Sequence, residues 1–505
     1  MNIKEAKEQI KYTVKAYLRK NQSGRYVYPL LRQRPILLMG PPGIGKTAIM
    51  EQAAEECEIG LVAYTITHHT RQSAIGLPVI KKREYGGQSF DITEYTMSEI
   101  IASVYECMER TGKKEGILFI DEINCVSETL APTMLQFLQN KTFGTHRVPE
   151  GWIIVAAGNP SEYNKSVREF DVVTLDRVRR IDVQADLEVW LEYAWKHNVH
   201  GAVLSYLNMK KDRFYAVENT VEGKAFVTAR GWEDLSEMLK GYESLGVEAD
   251  DGLMQQFLQK EDTARDFAAY YRLYQKYGTD YEIPAILKKN ITKEQYEQKV
   301  KMAGEGSFEE RFIVTGLVLD TLNKVLDEYA CCCRQVTVLH ELLLHLKAFI
   351  KDKESPDCIG EFLDAQNRIC EVKRTQQLIS PEQEDALQYG LNAVEEYYLL
   401  IKENHIRSAQ KSFEAIKQWF EKEVLKKRKM AENIKEQLEE GFRFIDDSFG
   451  AEQEMLLFVS NLTANENASA FLAEYGCPAY YSYSSQFLCR QKERELQEMC
   501  REALL

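Results

Sequence analysis

The amino-acid sequence predicts an α/β core built on a parallel sheet, followed by a small helical unit and a long all-α C-terminal extension. Three observations carry that prediction. The chain has 505 residues, several times the usual domain size of about 100–150 residues, so it holds more than one core. Up to about residue 185, apolar β-rich runs (ILLM at 36–39, GLVAYTI at 60–66, GILFI at 116–120, WIIVAA at 152–157) alternate with helical stretches, the pattern of a parallel sheet with crossover helices. Glycine and proline are unevenly spread: residues 1–284 hold 20 of the 28 Gly and 9 of the 12 Pro, and the chain beyond about residue 285 reads as long helices.

The expected domains are therefore residues 1–185, 186–285 and 286–505. The first is the α/β core. From about residue 186 the pattern turns helical, in LEVWLEYAWKHN, ARGWEDLSEMLKGYESLG and TARDFAAYYRLYQKYG. The sequence GEGS at 304–307 is a break, and Ser307 with Glu310 forms a capping-box pattern that opens the next helix. Phe413, Ile416, Trp419, Phe420 and Val424 recur at helical spacing further on, so these helices pack on one another or on a partner. Tyr475, Tyr480, Tyr481, Tyr483 and Phe487 gather around Gly476 and Pro478 and read as a local core closing the last helices, or as a contact surface.

Composition narrows the function classes. An apolar share of 44% with only 12 Pro excludes collagenous and low-complexity chains. Net charge is −14, and an acidic body repels a phosphate backbone, which disfavours nucleic acid as a partner. Most of that imbalance lies in the extension, where 29 Lys and Arg face 38 Asp and Glu. The 11 cysteines are odd in number and form no CxxC pair, the usage of reduced thiols. The opening MNIKEAKEQIKYTV lacks the apolar core of a signal peptide, and no run is long enough to span a membrane. A cytoplasmic location is expected.

The sharpest local signal is Gly40, Pro41, Pro42, Gly43, Ile44, Gly45, Lys46 and Thr47, a full GxxxxGK[ST] placed directly after the strand ILLM and before the helical run AIMEQAAEE. Glycines let the backbone curl around phosphate oxygens, and the helix after the loop presents free N–H groups and its positive dipole end. Pro41 and Pro42 have no N–H. The cradle must then come from the amides of residues 43–47, with Lys46 at the β and γ phosphates of ATP and the Thr47 hydroxyl on Mg²⁺. Further on, the uncharged strand Ile117, Leu118, Phe119, Ile120 ends in Asp121 and Glu122, at the carboxyl edge where ligands bind in parallel sheets. Asp121 is expected to hold the Mg²⁺ shell through water, and Glu122 to polarise the attacking water as general base.

At this point the sequence resembles the AAA+ ATPases, and within them the MoxR family, over about residues 30–285. The resemblance rests on GPPGIGKT, ILFIDE, the strand WIIVAAGNP ending at Asn159, LDR at 175–177 and ARGW at 229–232. It implies an α/β P-loop NTPase core of AAA+ type, a helical lid and a homo-oligomeric ring, a hexamer in the family. Asn159 then matches the sensor 1 residue that reaches the water or the γ-phosphate. Arg177 matches the arginine finger that reaches a neighbouring subunit's nucleotide, with Arg179 and Arg180 as competitors because Val178 stands where an aromatic is usual. Arg230 matches the sensor 2 arginine at the start of a lid helix. The family also implies a protein client and a von Willebrand A domain protein as partner. A β-hairpin over residues 141–149 corresponds to one facing the ring pore, and residues 67–78 with 81–87 resemble the helix 2 insert region.

Other candidates carry no site. His68 and His69 are adjacent and diverge on a strand. Cys331, Cys332 and Cys333 fan apart on a helix and are expected as buried small residues. Lys426, Lys427, Arg428 and Lys429 sit among glutamates and read as a solvated helix face. The function expected is ATP-driven remodelling or maturation of protein clients. An ATP-gated assembly scaffold with slow turnover is the alternative from another class, and a restriction-type NTPase motor acting on nucleic acid is disfavoured by charge.

Overall fold

The computed structural model describes the chain apart from residues 69–73, 75, 144, 164–166, 168–169, 221–222, 352, 354, 376–378 and 488–505. His69, part of the 67–78 segment, Gly144, Cys489 and Cys500 thus lie outside the described residues. The chain divides into two compact units. The first holds Met1–Leu191, Lys211–Met238 and Ala249–Ala264; the second holds Glu192–Lys210, Leu239–Glu248 and the chain from Arg265 onward.

The first unit is built on five parallel strands, β1 (Ile36–Met39), β2 (Gly60–Thr65), β5 (Gly116–Asp121), β8 (Trp152–Gly158) and β9 (Arg179–Asp182), in the order β2-β5-β8-β1-β9. These strands read as continuous apolar runs because both faces are covered. On one face Leu37, Leu118, Ile120, Ile154 and Ala156 pack against α3 (Glu99–Thr111) and α4 (Ala131–Asn140). On the other, Ile36, Leu38, Phe119, Val155 and Ile181 pack against α1 (Ile3–Tyr17) and α2 (Ala48–Glu56). Alternation of side chains along each strand delivers this three-layer arrangement. A short helix, α5 (Val172–Leu175), precedes β9.

Three hairpins depart from the sheet. β3 (Pro78–Tyr85) and β4 (Gln88–Tyr95) pair in an exposed antiparallel ribbon, regular structure where the sequence had shown only an insert resemblance. β6 (Thr142–Phe143) and β7 (His146–Arg147) form the expected short hairpin. Lys141 leads into it, its carbonyl accepting from Val148 N at 3.0 Å. It ends α4 in the left-handed region (φ 55°), is buried, and donates from Nζ to Leu30 O at 2.6 Å; burial alone pulls its ammonium down to about 7. The third hairpin, β10 (Ala216–Thr220) with β11 (Gly223–Val227), corrects the expectation that the pattern is helical from residue 186. Val217, Thr220, Phe226 and Val227 are strand-favouring types on either side of Gly223 (φ 136°), and flanking helical runs hid so short a signal.

Among the described residues the remaining longer elements are helices: α6 (Leu187–Lys196), α7 (Gly201–Met209), α8 (Ala229–Leu245), α9 (Asp251–Phe257), α10 (Glu261–Tyr281), α11 (Ile283–Leu287), α12 (Lys293–Glu305), α13 (Phe308–Phe349), α14 (Cys358–Thr375), α15 (Pro381–Glu403), α16 (Ala409–Phe449), α17 (Gln453–Ala464) and α18 (Glu466–Tyr475). In the second unit, α13 and α16, of 42 and 41 residues, serve two cores. One gathers Leu322, Leu326, Leu438, Phe442, Phe458 and Phe471. The other gathers Leu342, Leu346, Phe362, Val394 and Ile416, with Phe413, Trp419 and Phe420 packed on it. The all-α extension expected from the sequence is thus observed.

Details differ at two places and agree at a third. Ser307 caps α13 by accepting from Glu310 N at 3.3 Å, but the Glu310 carboxylate accepts from Tyr281 OH at 2.8 Å, so the capping box is half made. Cys331 is exposed, with Cys332 and Cys333 half-buried, because three successive helical positions span too wide an arc to face one core. Tyr475 stacks on Phe471 with centroids 4.8 Å apart, and Tyr483 stacks on Phe442 at 6.0 Å, so these tyrosines close a core. No helix of the described residues is long and apolar enough to cross a membrane.

Candidate functional site

All five strands being parallel, their carboxyl ends share one edge, and the loops leaving β1, β5 and β8 meet there. Gly158 lies beside Met39 in register, so residue 159 leaves the sheet next to residue 40. Asp121 is the last residue of β5. Glu122 then takes a left-handed backbone (φ 56°), uncommon for a non-glycine residue, which turns the chain so that Ile123 N reaches Ala157 O at 2.9 Å.

Lys46 lies at the centre. Its Nζ donates to Gly40 O, to Pro41 O and to Asn159 Oδ1, each at 2.8 Å. Only 8% of the residue is exposed. Burial therefore pulls its ammonium down to about 8, against the opposing pull of the Asp121 and Glu122 charges, while the Arg230 charge pushes the same way as burial. Thr47 Oγ1 donates to Asp121 Oδ2 at 3.2 Å, which joins the start of α2 to the end of β5. Asp121 Oδ1 accepts from Glu122 N at 2.8 Å. The hydroxyl and the carboxylate are hard oxygen donors side by side, a donor set suited to Mg²⁺.

The sequence-selected residues Lys46, Thr47, Asp121, Glu122 and Asn159 are thus brought together, with Gly40, Pro41, Pro42, Gly43, Ile44 and Gly45 forming the loop around Lys46. Arg230 joins them from the first turn of α8: its backbone N donates to Gly43 O at 3.1 Å. Gly43 (φ 73°) admits no side chain, because a Cβ there would meet the Thr228 side chain at 2.9 Å.

Arg177 is elsewhere. β9 runs parallel to β1 with Arg179 beside Ile36, which puts residue 177 at the opposite, amino edge of the sheet. At about 3.3 Å of rise per residue, the length of β1 separates it from its own phosphate loop. It is exposed and its guanidinium donates to Gln139 Oε1. The two neighbouring arginines are engaged differently. Arg179 donates to Thr13 Oγ1 and, at 2.7 Å, to Gln9 Oε1, both on α1. Arg180 is exposed and pairs with Asp182 at 2.8 Å.

Sequence reasoning missed Asn124. It is buried and its Nδ2 donates to Asn159 O at 2.7 Å. A Cβ on Gly158 would meet its Oδ1 at 2.6 Å, so a glycine immediately before the selected Asn159 was the one signal that could have found it. Among the described residues no group of three His, Cys, Asp or Glu is placed to hold a metal ion.

Residues 36–178 match the model of the ATPase family associated with various cellular activities (AAA). The match begins at the first residue of β1 and takes in the phosphate loop, Asp121, Glu122, Asn159 and Arg177. No curated protein matches the chain. The chain therefore carries an AAA-type ATPase domain on a P-loop α/β core, with a long all-α region after it.

Proposed function

We propose that this protein is a Mg²⁺-dependent ATPase of MoxR type, working in the cytoplasm as a homo-oligomeric ring and using ATP binding and hydrolysis to remodel or mature a protein client, with a von Willebrand A domain protein as partner. The observation that carries the ATPase reading is the convergence of Lys46, Thr47, Asp121, Glu122 and Asn159 at the carboxyl edge of the sheet. In this reading the amides of residues 43–47 and the Lys46 ammonium bind the phosphates. Thr47 and Asp121 hold Mg²⁺, Asp121 through water; the ion, when bound, neutralises charge developing on the phosphate oxygens. Glu122, turned out of the strand by its left-handed backbone, accepts the proton of the attacking water. Asn159, fixed through its carbonyl by Asn124, orients that water, and Arg230 contacts the γ-phosphate from α8.

Arg177 is the finger in this reading. Its place on the amino edge suits contact with a neighbouring subunit's nucleotide, and Arg179 is the least suited of the three because α1 already engages its guanidinium. Client contact is supported by the exposed β3–β4 ribbon, which carries Ile80, Tyr85 and Phe90 at its surface.

The test is Glu122→Gln. Turnover is expected to fall by about 100-fold or more, the range of a positioned general base, while ATP stays bound. Hydrolysis at the wild-type rate in that variant would sink the assignment. A pull-down with the ATP-trapped variant then identifies the client.

A further inference from the structure

A phosphate cradle has to present N–H groups to the anion and turn carbonyl oxygens away from it. The first half of this loop works against that requirement, because Pro41 and Pro42 contribute carbonyls and no N–H. Four consecutive carbonyls, at residues 40–43, need hydrogen-bond donors other than the anion. Each has one. Lys46 Nζ takes Gly40 O and Pro41 O at 2.8 Å. The Tyr215 hydroxyl donates to Pro42 O at 2.9 Å, and Arg230 N donates to Gly43 O at 3.1 Å.

The last two partners belong to one cross-linked piece of chain. Trp232 Nε1 donates to Phe214 O at 3.1 Å in a buried bond, tying residues 214–215 to the first turn of α8. Thr228 Oγ1 accepts from Gly231 N at 3.2 Å while its side chain fills the space beside Gly43. Phe214 is buried against Trp190, ring centroids 5.2 Å apart. Tyr215 and the backbone of Arg230 therefore reach the loop from a common frame. Burial raises the Tyr215 phenol well above its ordinary value, so the hydroxyl remains a donor at any working pH.

We propose that Tyr215 is a positioning residue of the nucleotide site: its hydroxyl holds the Pro42 carbonyl outward, next to the Gly43 carbonyl held by Arg230 N, so that the loop keeps its N–H face toward phosphate. Through Trp232 the same frame links loop shape to the helix carrying the Arg230 side chain. The proposal rests on the reading of residues 40–47 as the ATP site.

Tyr215→Phe removes one hydroxyl and keeps the ring. In the full-length protein, ATP titration and steady-state hydrolysis should show Kd and KM for ATP raised about five- to tenfold, the size of one lost hydrogen bond, with kcat within about twofold. The thermal midpoint without nucleotide should fall by no more than a few degrees, and amide exchange in the peptide spanning residues 40–47 should quicken. Tyr215→Leu separates packing from hydrogen bonding, since its additional loss should appear in the thermal midpoint. Wild-type ATP affinity in Tyr215→Phe, or a loss falling on kcat with KM unchanged, overturns the proposal. Lys46→Ala is the control: if it binds ATP as tightly as wild type, the reading of the loop fails and not the role of Tyr215.

Discussion

Each of the two units buries a titratable nitrogen base, and the two are satisfied in opposite ways. In the first, Lys46 is held by the backbone carbonyls of a loop and by a residue just past a strand end, with the Asp121 and Glu122 charges acting on it. In the second, His200 is held by side chains and backbone of packed helices. Its Nε2 meets Glu243 Oε1 at 3.0 Å and its Nδ1 accepts from Ala202 N at 3.1 Å. Around it Tyr271 OH donates to Glu243 at 2.9 Å, Tyr274 OH to Asp320 at 2.5 Å and Tyr270 OH to Ser205 at 2.8 Å. The histidine network closes on itself within α7, α8, α10 and α13. Burial of a charge does not mark a site by itself; a buried charge among loop backbone and strand-end carboxylates does.

The largest expected effect tests whether the first unit's site is complete within one chain. Arg177→Ala should lower kcat by about 10³ or more, as an arginine finger does, even though the residue lies at the far edge of the sheet from its own loop. Mixing with Lys46→Ala subunits, which keep Arg177, should restore part of the activity. Arg180→Ala should change kcat less than about threefold. If Arg180→Ala inactivates and Arg177→Ala does not, the roles exchange. If neither variant is rescued by mixing, the trans assignment falls.

The same contrast governs what the sequence made legible. The loop at 40–47, Asp121, Glu122 and Asn159 could be read because each stands at a strand end in a motif of fixed spacing, and a parallel sheet brings such ends together whatever the intervening chain does. Asn124 and Tyr215 could not. Their roles depend on which carbonyl lies within reach across 35 residues for Asn124 and 173 for Tyr215, and nothing local in the sequence encodes that distance. The β10–β11 hairpin was hidden for a different reason, since its strand-favouring stretches are short, do not alternate cleanly and lie between strong helical runs. In the second unit, helical periodicity predicted packing for Phe413, Ile416, Trp419 and Phe420, and they pack. It said nothing of which helix faces which, so the half-made cap at Ser307 and the half-buried cysteines came only from the tertiary arrangement.

A smaller effect comes from the Lys46 environment. Burial pulls its ammonium down to about 8, and phosphate binding favours the charged form. ATP affinity should therefore be flat below about pH 7 and weaken above about pH 8, by at most tenfold per pH unit, with proton uptake on binding negligible below about pH 7 and rising toward one above about pH 8. Calorimetry in buffers of different ionisation enthalpy reads that proton directly. An affinity unchanged between pH 7 and 9 would show that the Lys46 ammonium does not lose its proton in this range.

The smallest effect belongs to the closed network of the second unit, and its sign is opposite to that of the lysine. Burial opposes charge on His200, but the Glu243 hydrogen bond and the Asp320 and Glu243 charges outweigh both burial and the nearby Lys240, so its value is raised above 6.5, and taking up the second proton converts Nδ1 from acceptor to donor and gives up the bond from Ala202 N. A histidine that binds its proton more tightly folded than unfolded contributes stability that is complete below about pH 6.5 and is lost as pH rises through the folded value. Hydrogen exchange in α7 should accordingly quicken as pH rises from 6.5, after correction for the intrinsic exchange rate, and the first unit's ATP affinity should not track it. His200→Gln should lower protection of α7 by about 1 kcal/mol, the scale of one hydrogen bond, and flatten the slope with pH. An unchanged slope in that variant would show that His200 does not carry the dependence.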